Sequence, residues 1–220
     1  MSASLTEPST LSAEVPARAL QRDGRTTRRK SLLVVDDHPA VRAGLRDMLN
    51  DETDFEVVAV TATAEQGVEL AERGRIDVAV VDYQLRGRNG LWLSRKLKRL
   101  PEPPAVVIYS AYADGILRAA AVVAQADAIV SKGELGHELC EAIRRAASGE
   151  PRLPALPPWL AETLRRRLDS EQQAIFGMLL AGIAPDEAAY VLGLSGAALE
   201  SQLWEMLQQI EALPASSRGR

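Results

Sequence analysis

Side chains that could do phosphoryl chemistry stand where short apolar runs of this chain end. Three carboxylates, one hydroxyl and one ammonium group directly follow such a run or lie within a residue of its end: Asp36, Asp37, Asp82, Ser110 and Lys132. If the runs are strands of an open parallel sheet, their carboxyl ends share one edge and these groups converge there. Carboxylate oxygens are the ligands that Mg²⁺ prefers, and a carboxylate can itself accept a phosphoryl group. The pattern therefore predicts a site for a divalent cation and a phosphoryl group.

The elements that must position these groups alternate between strand and helix patterns. The predicted strands cover 31–35, 55–60, 78–81, 105–109 and 128–130, and the helices between them begin near Pro39, Thr63, Asn89, Asp114 and Glu134. This alternation is typical of a parallel sheet built from βα units. Asp82 would follow the central strand, so it is the best candidate for the phosphoryl acceptor. Lys132 would neutralise charge on the transferred oxygens, and Ser110 would donate a hydrogen bond to one of them.

The length allows one large domain or two small ones, and the hydrophobic content excludes a chain that is disordered as a whole. The 220 residues are 46% hydrophobic with a single cysteine, and no apolar run approaches the roughly 20 residues that span a bilayer. We expect a cytoplasmic protein that is not a membrane protein. The predicted segments are a flexible leader (1–30), an α/β domain (31–148), a proline-rich linker with a connecting helix (149–167), a helical domain (168–212) and a tail (213–220).

The α/β part strongly resembles the receiver domain of two-component response regulators. The motifs that carry the resemblance are LLVVDDHP at 32–39, Val81-Asp82, GRNG at 87–90, Tyr109-Ser110-Ala111 and Ser131-Lys132-Gly133. The resemblance implies a flavodoxin-like, five-stranded parallel sheet of order 2-1-3-4-5. It also implies phosphotransfer from a histidine kinase to Asp82, with Mg²⁺ bound by Asp37, Asp82 and the backbone carbonyl of Gln84. Asp36 would act mostly through the water shell of the metal.

Two residues depart from the receiver pattern. Arg86 stands where the family often has a proline, which shapes a loop and does no chemistry. Ile129, three residues before Lys132, stands where many receivers carry a Tyr or Phe that moves inward on phosphorylation. The sequence thus predicts phosphorylation without the usual aromatic switch. Dimerisation on phosphorylation, which is typical of the family, is also implied.

The last third of the chain resembles the helix-turn-helix of NarL/LuxR-type regulators. Its predicted helices cover about 170–181, 185–192 and 195–212, and Leu199, Leu203, Met206 and Ile210 recur at helical spacing as one buried face. The exposed positions of the last helix are the candidates for contacting DNA or a partner, in particular Glu200, Ser201, Trp204 and Gln208. Residues 168–214 contain seven acidic and no basic side chains.

That charge distribution leaves two functions open for the helical domain. Contacts from Lys and Arg to phosphates supply most of the affinity for DNA, so an acidic last helix disfavours DNA binding. The prediction is a response regulator, not an enzyme, that regulates transcription through this domain; the alternative is a signalling adaptor whose helices bind protein. Large exposed aromatics such as Trp204 favour the alternative. We further predict that the basic run 95–99 is the solvated side of a helix and that Cys140 is packed in the core.

Overall fold

The computed structural model describes residues 28–150, 153 and 155–213. Most of the predicted leader (residues 1–27), part of the proline-rich linker and the tail from residue 214 lie outside the described residues. In the described part of the chain, no helix is both long enough and apolar enough to cross a membrane.

Five strands form one parallel sheet, in agreement with the sequence prediction. They are β1 (Lys30–Val35), β2 (Phe55–Thr61), β3 (Val78–Asp82), β4 (Ala105–Ser110) and β5 (Ala128–Ser131). Their order in the sheet is β2-β1-β3-β4-β5. The flavodoxin-like order 2-1-3-4-5 is therefore confirmed, and each observed strand end lies within one residue of its predicted position.

Nine helices occur in the described part of the chain. Five alternate with the strands: α1 (Pro39–Asp51), α2 (Ala64–Arg73), α3 (Gly90–Leu97), α4 (Gly115–Val123) and α5 (Gly136–Ala147). The other four follow the sheet: α6 (Pro158–Arg167), α7 (Ser170–Leu180), α8 (Pro185–Leu192) and α9 (Gly196–Glu211). We call α7–α9 the C-terminal module. The predicted first residues of α1–α4 agree with the structure within one residue, whereas α5 begins two residues later than predicted.

Helix starts are fixed by side chains that accept a backbone hydrogen bond. Thr63, Asn89 and Asp114 precede α2, α3 and α4, and each accepts from the N–H three residues ahead. Such caps satisfy donors that have no partner within the helix, and each stabilises a helix by about 1 kcal/mol. Each of these caps lies between the carboxyl end of a strand and the helix that follows. The caps therefore also fix where the loops at the carboxyl edge of the sheet end.

The two faces of the sheet bury different clusters. Leu32, Val34 and Val80 point toward α1 and α5, while Leu33 and Val81 point toward the face covered by α2, α3 and α4. This alternation follows from the two-residue period of a strand. Cys140 is buried in the first of these clusters, as predicted. The sheet is thus covered on both sides, and its edge at the strand ends is left for the polar groups.

The C-terminal module shares its core with the α/β domain. Helix α9 packs against α4, and its predicted apolar face, Leu199, Leu203, Met206 and Ile210, is buried in the same cluster as the side chains of α4. Leu160 and Leu164 of α6 complete that cluster. The two parts therefore meet through a continuous apolar contact.

Candidate phosphoryl-acceptor site

Three carboxylates meet at the carboxyl edge of the sheet. Asp36 and Asp37 follow β1 and Asp82 ends the neighbouring strand β3, so the strand pairing brings them together. Asp36 and Asp82 are almost completely buried, with 1% and 4% of their surface exposed. Charges this far from water must be paired or must bind a cation.

Lys132 supplies the positive charge. Its Nζ lies 2.6 Å from Asp36 Oδ2 and 2.8 Å from Asp82 Oδ2, so the side chain that follows β5 pairs with the ends of both β1 and β3. The Lys132 N–H also donates to the Ser110 carbonyl oxygen at 2.8 Å, which holds the start of the loop after β5 against β4. The geometry therefore brings together Asp36, Asp82 and Lys132, as the sequence predicted.

The site shifts the pKa of two of these groups. Burial raises the pKa of Asp82, and the negative charge of Asp36 adds to this, whereas Lys132 opposes it. Burial would lower the pKa of Lys132, but its hydrogen bonds to Asp36 and Asp82 outweigh that effect and raise it. A firmly protonated lysine beside two buried acids suits the stabilisation of negative charge that develops during a transfer.

The acidic cluster fits a magnesium ion. Ligand atoms from Asp36, Asp37, His38 and Asp82 all lie within 4.8 Å of one another. Asp37 Oδ1 is buried and accepts no hydrogen bond from the described residues, although His38 Nδ1 lies 2.8 Å away. A buried carboxylate oxygen without a donor is costly, and a cation would satisfy it. Because Mg²⁺ prefers oxygen, the carboxylates rather than His38 are its expected ligands.

Ser110 and Gln84 lie at the rim of this site. Ser110 ends β4, is fully buried, and its hydroxyl accepts a hydrogen bond from the Tyr112 N–H at 3.1 Å. The N–H of Gln84 donates to Asp82 Oδ1 at 3.3 Å, so the loop after β3 folds back over the acceptor carboxylate. Arg86, the departure in that loop, is exposed, and its Nε lies 3.4 Å from Asp37 Oδ2.

Comparison with known proteins assigns this α/β domain. Residues 32–144, just over half of the chain, match the response regulator receiver domain. The chain belongs to the response regulators. It is similar to the response regulator UvrY of Escherichia coli, with 27% identity over 190 residues that cover 82% of this chain and 87% of UvrY. The nitrate/nitrite response regulator NarL of E. coli is 33% identical over 136 residues, which cover 61% of this chain and 63% of NarL.

Two solved structures add to the likeness, and the second covers enough of the chain to include the fold of the C-terminal module. A LuxR-family response regulator from Aurantimonas matches with a TM-score of 0.54 and 26% identity, covering 64% of this chain and 99% of that one. The structure of an RcsB–DNA complex matches with a TM-score of 0.56 and 19% identity, covering 85% and 94% of the two chains, and shows a shared fold. This protein is a two-component response regulator of the NarL/LuxR type and not an enzyme, as the sequence indicated.

The candidate contact face of α9 lies against the receiver. Glu200 forms ion pairs with both Arg95 and Arg99 of the receiver. The Trp204 ring centroid lies 5.9 Å from the Arg95 guanidinium carbon. Ser201 and Gln208 are exposed, and the Ser201 hydroxyl donates to Glu205 at 3.2 Å. Two of the four predicted contact residues therefore bind the protein itself in this conformation.

The prediction that residues 95–99 form a solvated face is wrong for Arg95, whereas Arg99 is exposed. Arg95 is 1% exposed, donates to Gln125 Oε1 at 3.0 Å and pairs with Glu200. Burial lowers the pKa of its guanidinium, and Glu200 opposes that shift. Arg95 follows Leu91 by four residues and so shares the face of α3 that Leu91 buries. This four-residue spacing could have indicated that Arg95 is buried, although its charge suggested exposure.

Glu211, the last residue of α9, is a functional candidate that sequence reasoning missed. Its Oε1 accepts hydrogen bonds from Asn89 Nδ2 at 2.7 Å and from the Tyr83 hydroxyl at 3.2 Å. Tyr83 directly follows Asp82, and Asn89 caps α3. These partners are more than 120 positions away in sequence, so no local pattern could have indicated the contact.

Proposed function

We propose that Asp82 accepts a phosphoryl group from a histidine kinase and that Asp37, Asp82 and the backbone carbonyl of Gln84 bind Mg²⁺ at this site, with Asp36 acting mostly through the water shell of the metal. The observation that carries the proposal is the position of Lys132, whose Nζ lies within 2.8 Å of both Asp36 and Asp82. Buried acids alone could be structural. A cation shared between two strand ends, beside a buried serine, is an arrangement suited to transfer of a phosphoryl group.

In the transfer, a carboxylate oxygen of Asp82 forms a bond with phosphorus as the bond between phosphorus and the donor atom breaks. Mg²⁺, when bound, would neutralise charge on the phosphoryl oxygens. Lys132 would move from the carboxylates toward a phosphoryl oxygen, and the Ser110 hydroxyl would donate to another. Because Asp82 is the only one of these acids that ends the central strand, it lies between all the other contributors.

Acetyl phosphate and Mg²⁺ provide a direct test of the acceptor. Intact-mass measurement of the full chain should show the addition of one phosphoryl group, and the Asp82→Asn variant should show none. The matched control is Asp51→Asn, an exposed carboxylate at the end of α1. Labelling of Asp82→Asn at the wild-type rate, or no labelling of the wild type under conditions that label another receiver, would contradict the proposal.

We further propose that the C-terminal module regulates transcription by binding DNA and that the observed conformation prevents this binding. Glu200 and Trp204 lie against the receiver, so a recognition helix in the position of α9 cannot enter a major groove here. The architecture shared with UvrY and with the DNA-bound RcsB structure supports this function. Homodimerisation on phosphorylation stays a prediction.

The adaptor alternative rests on one specific observation. The acidic and aromatic side chains of α9 already contact protein groups, namely Arg95 and Arg99. A face that is complementary to a basic protein surface could bind a similar surface on another protein.

A gel-shift assay with genomic fragments at low salt separates the two functions. Phosphorylated protein that retards DNA, with retention lost as salt is raised, supports transcription regulation. An absence of retardation at micromolar protein, in samples whose mass shows full phosphorylation, would contradict DNA binding and favour the adaptor.

A further inference from the structure

Glu211 lies at the point where the C-terminal module meets the phosphoryl-acceptor site. We define the acceptor loop as residues 83–89, between β3 and α3. Its first and last residues, Tyr83 and Asn89, both donate to one oxygen of Glu211. Both donors are neutral, and burial raises the pKa of the Glu211 carboxyl, whereas the two hydrogen bonds lower it. The contact therefore depends on the positions of these two loop residues.

The acceptor loop is tightly folded against Asp82. The Gly90 N–H donates to the Tyr83 carbonyl at 2.9 Å, and Asn89 Oδ1 accepts from the Trp92 N–H at 2.9 Å. A Cβ atom at Gly90 would lie 2.3 Å from the Asp82 carbonyl oxygen. The backbone of Asp82 thus touches the first turn of α3. A displacement at Asp82 would therefore be passed to the start of α3 and to the acceptor loop, because the backbone of Asp82 is in close contact with Gly90.

Phosphorylation changes the contact that holds this loop in place. The Gln84 N–H donates to Asp82 Oδ1, and a phosphoryl group on the carboxylate removes or redirects that hydrogen bond. A metal ligand at the Gln84 carbonyl, as proposed above, would also draw the loop toward the acceptor. Tyr83 lies directly between these two residues in the chain, so a shift of the loop backbone would also move the Tyr83 side chain relative to Glu211.

A second loop of the site reaches Glu211 through a small cavity. The cavity has a volume of about 110 Å³, and its lining includes Tyr83, Gln84, Tyr112 and Glu211. Tyr112 belongs to the loop after β4, and its N–H donates to the Ser110 hydroxyl. A move of Ser110 toward a phosphoryl oxygen would break this hydrogen bond. The cavity gives the two tyrosines space to respond.

The usual receiver position for a moving aromatic offers no such link. Ile129 of β5 is half-buried and packs on the apolar cluster of the receiver. Its side chain carries no polar group that could exchange hydrogen bonds with the site. The route from Asp82 to α9 through the acceptor loop is short and polar.

We propose that Glu211 is a positioning residue through which phosphorylation of Asp82 controls the docking of α9 on the receiver. The inference rests on the proposed phosphorylation of Asp82. With unmodified Asp82, Tyr83 and Asn89 hold Glu211 and keep the C-terminal module docked. Phosphorylation displaces the acceptor loop, leaves the Glu211 carboxylate without its donors, and favours release of α9. The ion pairs of Glu200 with Arg95 and Arg99 stabilise docking but include no residue of the acceptor loop.

Hydrogen-exchange mass spectrometry on the full chain can test this coupling. Exchange in Gly196–Glu211 is compared with and without acetyl phosphate and Mg²⁺, and the intact mass of each sample gives its phosphorylated fraction. In the wild type we expect phosphorylation to speed exchange of the slow amides of α9 at least tenfold. In Glu211→Gln and in Tyr83→Phe, a hydrogen bond between Glu211 and the acceptor loop is already weakened or lost, so exchange of α9 should be faster without phosphorylation. For the same reason, phosphorylation should speed this exchange by only about threefold or less.

Two further variants separate coupling from simple loss of contact. Glu200→Gln should speed exchange of α9 by a similar factor in both states, so that the effect of phosphorylation is kept. Glu187→Gln, an exposed carboxylate of α8, should change neither. An effect of phosphorylation in Glu211→Gln equal to that of the wild type would overturn the inference, as would a wild type that is fully phosphorylated with unchanged α9 exchange. A wild type that gains no mass would overturn the proposed phosphorylation and, with it, this inference.

Discussion

At the scale of single residues, the acceptor site is defined by charge held out of water. Asp36 and Asp82 are buried and share Lys132, and one buried oxygen of Asp37 has no hydrogen-bond donor among the residues that the structure describes. Each carboxylate alone would be costly in this environment, and removing the lysine would leave two of them unpaired. The residue types follow from the chemistry: two acids to hold a cation, one to accept the phosphoryl group, and one ammonium group to balance it.

Lys132→Met should slow phosphorylation of Asp82 by about a hundredfold or more, because it removes a positioned positive charge from the developing phosphoryl oxygens. The rate is measured by intact mass after incubation with acetyl phosphate and saturating Mg²⁺. Lys30→Met, at the opposite end of β1, is the matched control and should keep the wild-type rate. A Lys132→Met rate within threefold of the wild type would show that the lysine has only a structural role.

Asp37→Asn should weaken Mg²⁺ binding without destabilising the protein in the absence of metal. Mg²⁺ that binds only the folded state raises the unfolding temperature, and the variant should need at least about tenfold more Mg²⁺ for the same rise. Without metal its unfolding temperature should equal or exceed that of the wild type, because one of three clustered negative charges is gone. Thermal unfolding over a series of MgCl₂ concentrations measures both, with Asp51→Asn as the control. An unchanged Mg²⁺ response would exclude Asp37 as a ligand.

At the scale of elements, the sheet positions the site and is itself held from its other edge. Asp77 precedes β3 and accepts a hydrogen bond from the Ser31 N–H at 2.8 Å, while its own N–H donates to the Ser31 carbonyl at 2.8 Å. Arg28 contacts the same carboxylate at 2.7 Å. Burial alone would raise the pKa of Asp77, but the Ser31 hydrogen bond and the charge of Arg28 outweigh it and lower the pKa. The register of β1 and β3, and so the meeting of Asp36 with Asp82, is fixed here.

Asp77→Asn should lower the free energy of unfolding at pH 7 by about 1–2 kcal/mol, through loss of a charged acceptor. Since the folded-state pKa is lowered, this contribution is present above the unfolded pKa of about 4 and is lost as the pH falls through the folded value. The difference between variant and wild type should therefore shrink as the pH falls below about 4. Urea unfolding across that pH range measures it, and Asp51→Asn serves as the control. A difference that is independent of pH would mean that ionisation of Asp77 plays no part.

At the scale of the whole molecule, the receiver and the C-terminal module form a closed unit. The apolar face of α9 is buried beside α4, and Glu200 and Glu211 of the same helix both contact polar groups of the receiver. The module is acidic, which disfavours DNA binding. One of its acidic side chains, Glu200, instead pairs with Arg95 and Arg99 of the receiver. Electrostatic complementarity of this kind fixes which surfaces meet more than how tightly they bind.

Gly115→Ala should loosen this closed arrangement. A Cβ atom there would lie 2.8 Å from Pro157 Cγ, so the linker must shift away from the start of α4. If this overpacking destabilises the docked state by about 1 kcal/mol, the fraction of molecules with an undocked C-terminal module rises roughly fivefold. Hydrogen exchange in α6 and α9 measures it. Gly44→Ala, where the added atom meets open space, is the matched control and should stabilise α1 by about 0.5–1 kcal/mol without affecting docking. Equal exchange in the two variants would contradict the role of this contact.

The strands of the sheet and the residues at its carboxyl edge could be predicted from the amino-acid sequence, and the family resemblance added the strand order. This was possible because strand and helix periods are local and because the carboxyl ends of parallel strands share one edge, which places Asp36, Asp82 and Lys132 together. The position of the C-terminal module on the receiver could not be predicted, because it depends on long-range contacts. The contacts of Glu200 with Arg95 and of Glu211 with Tyr83 join residues more than a hundred positions apart. Whether a charged side chain faces water or a partner depends on that packing, and no local period records it.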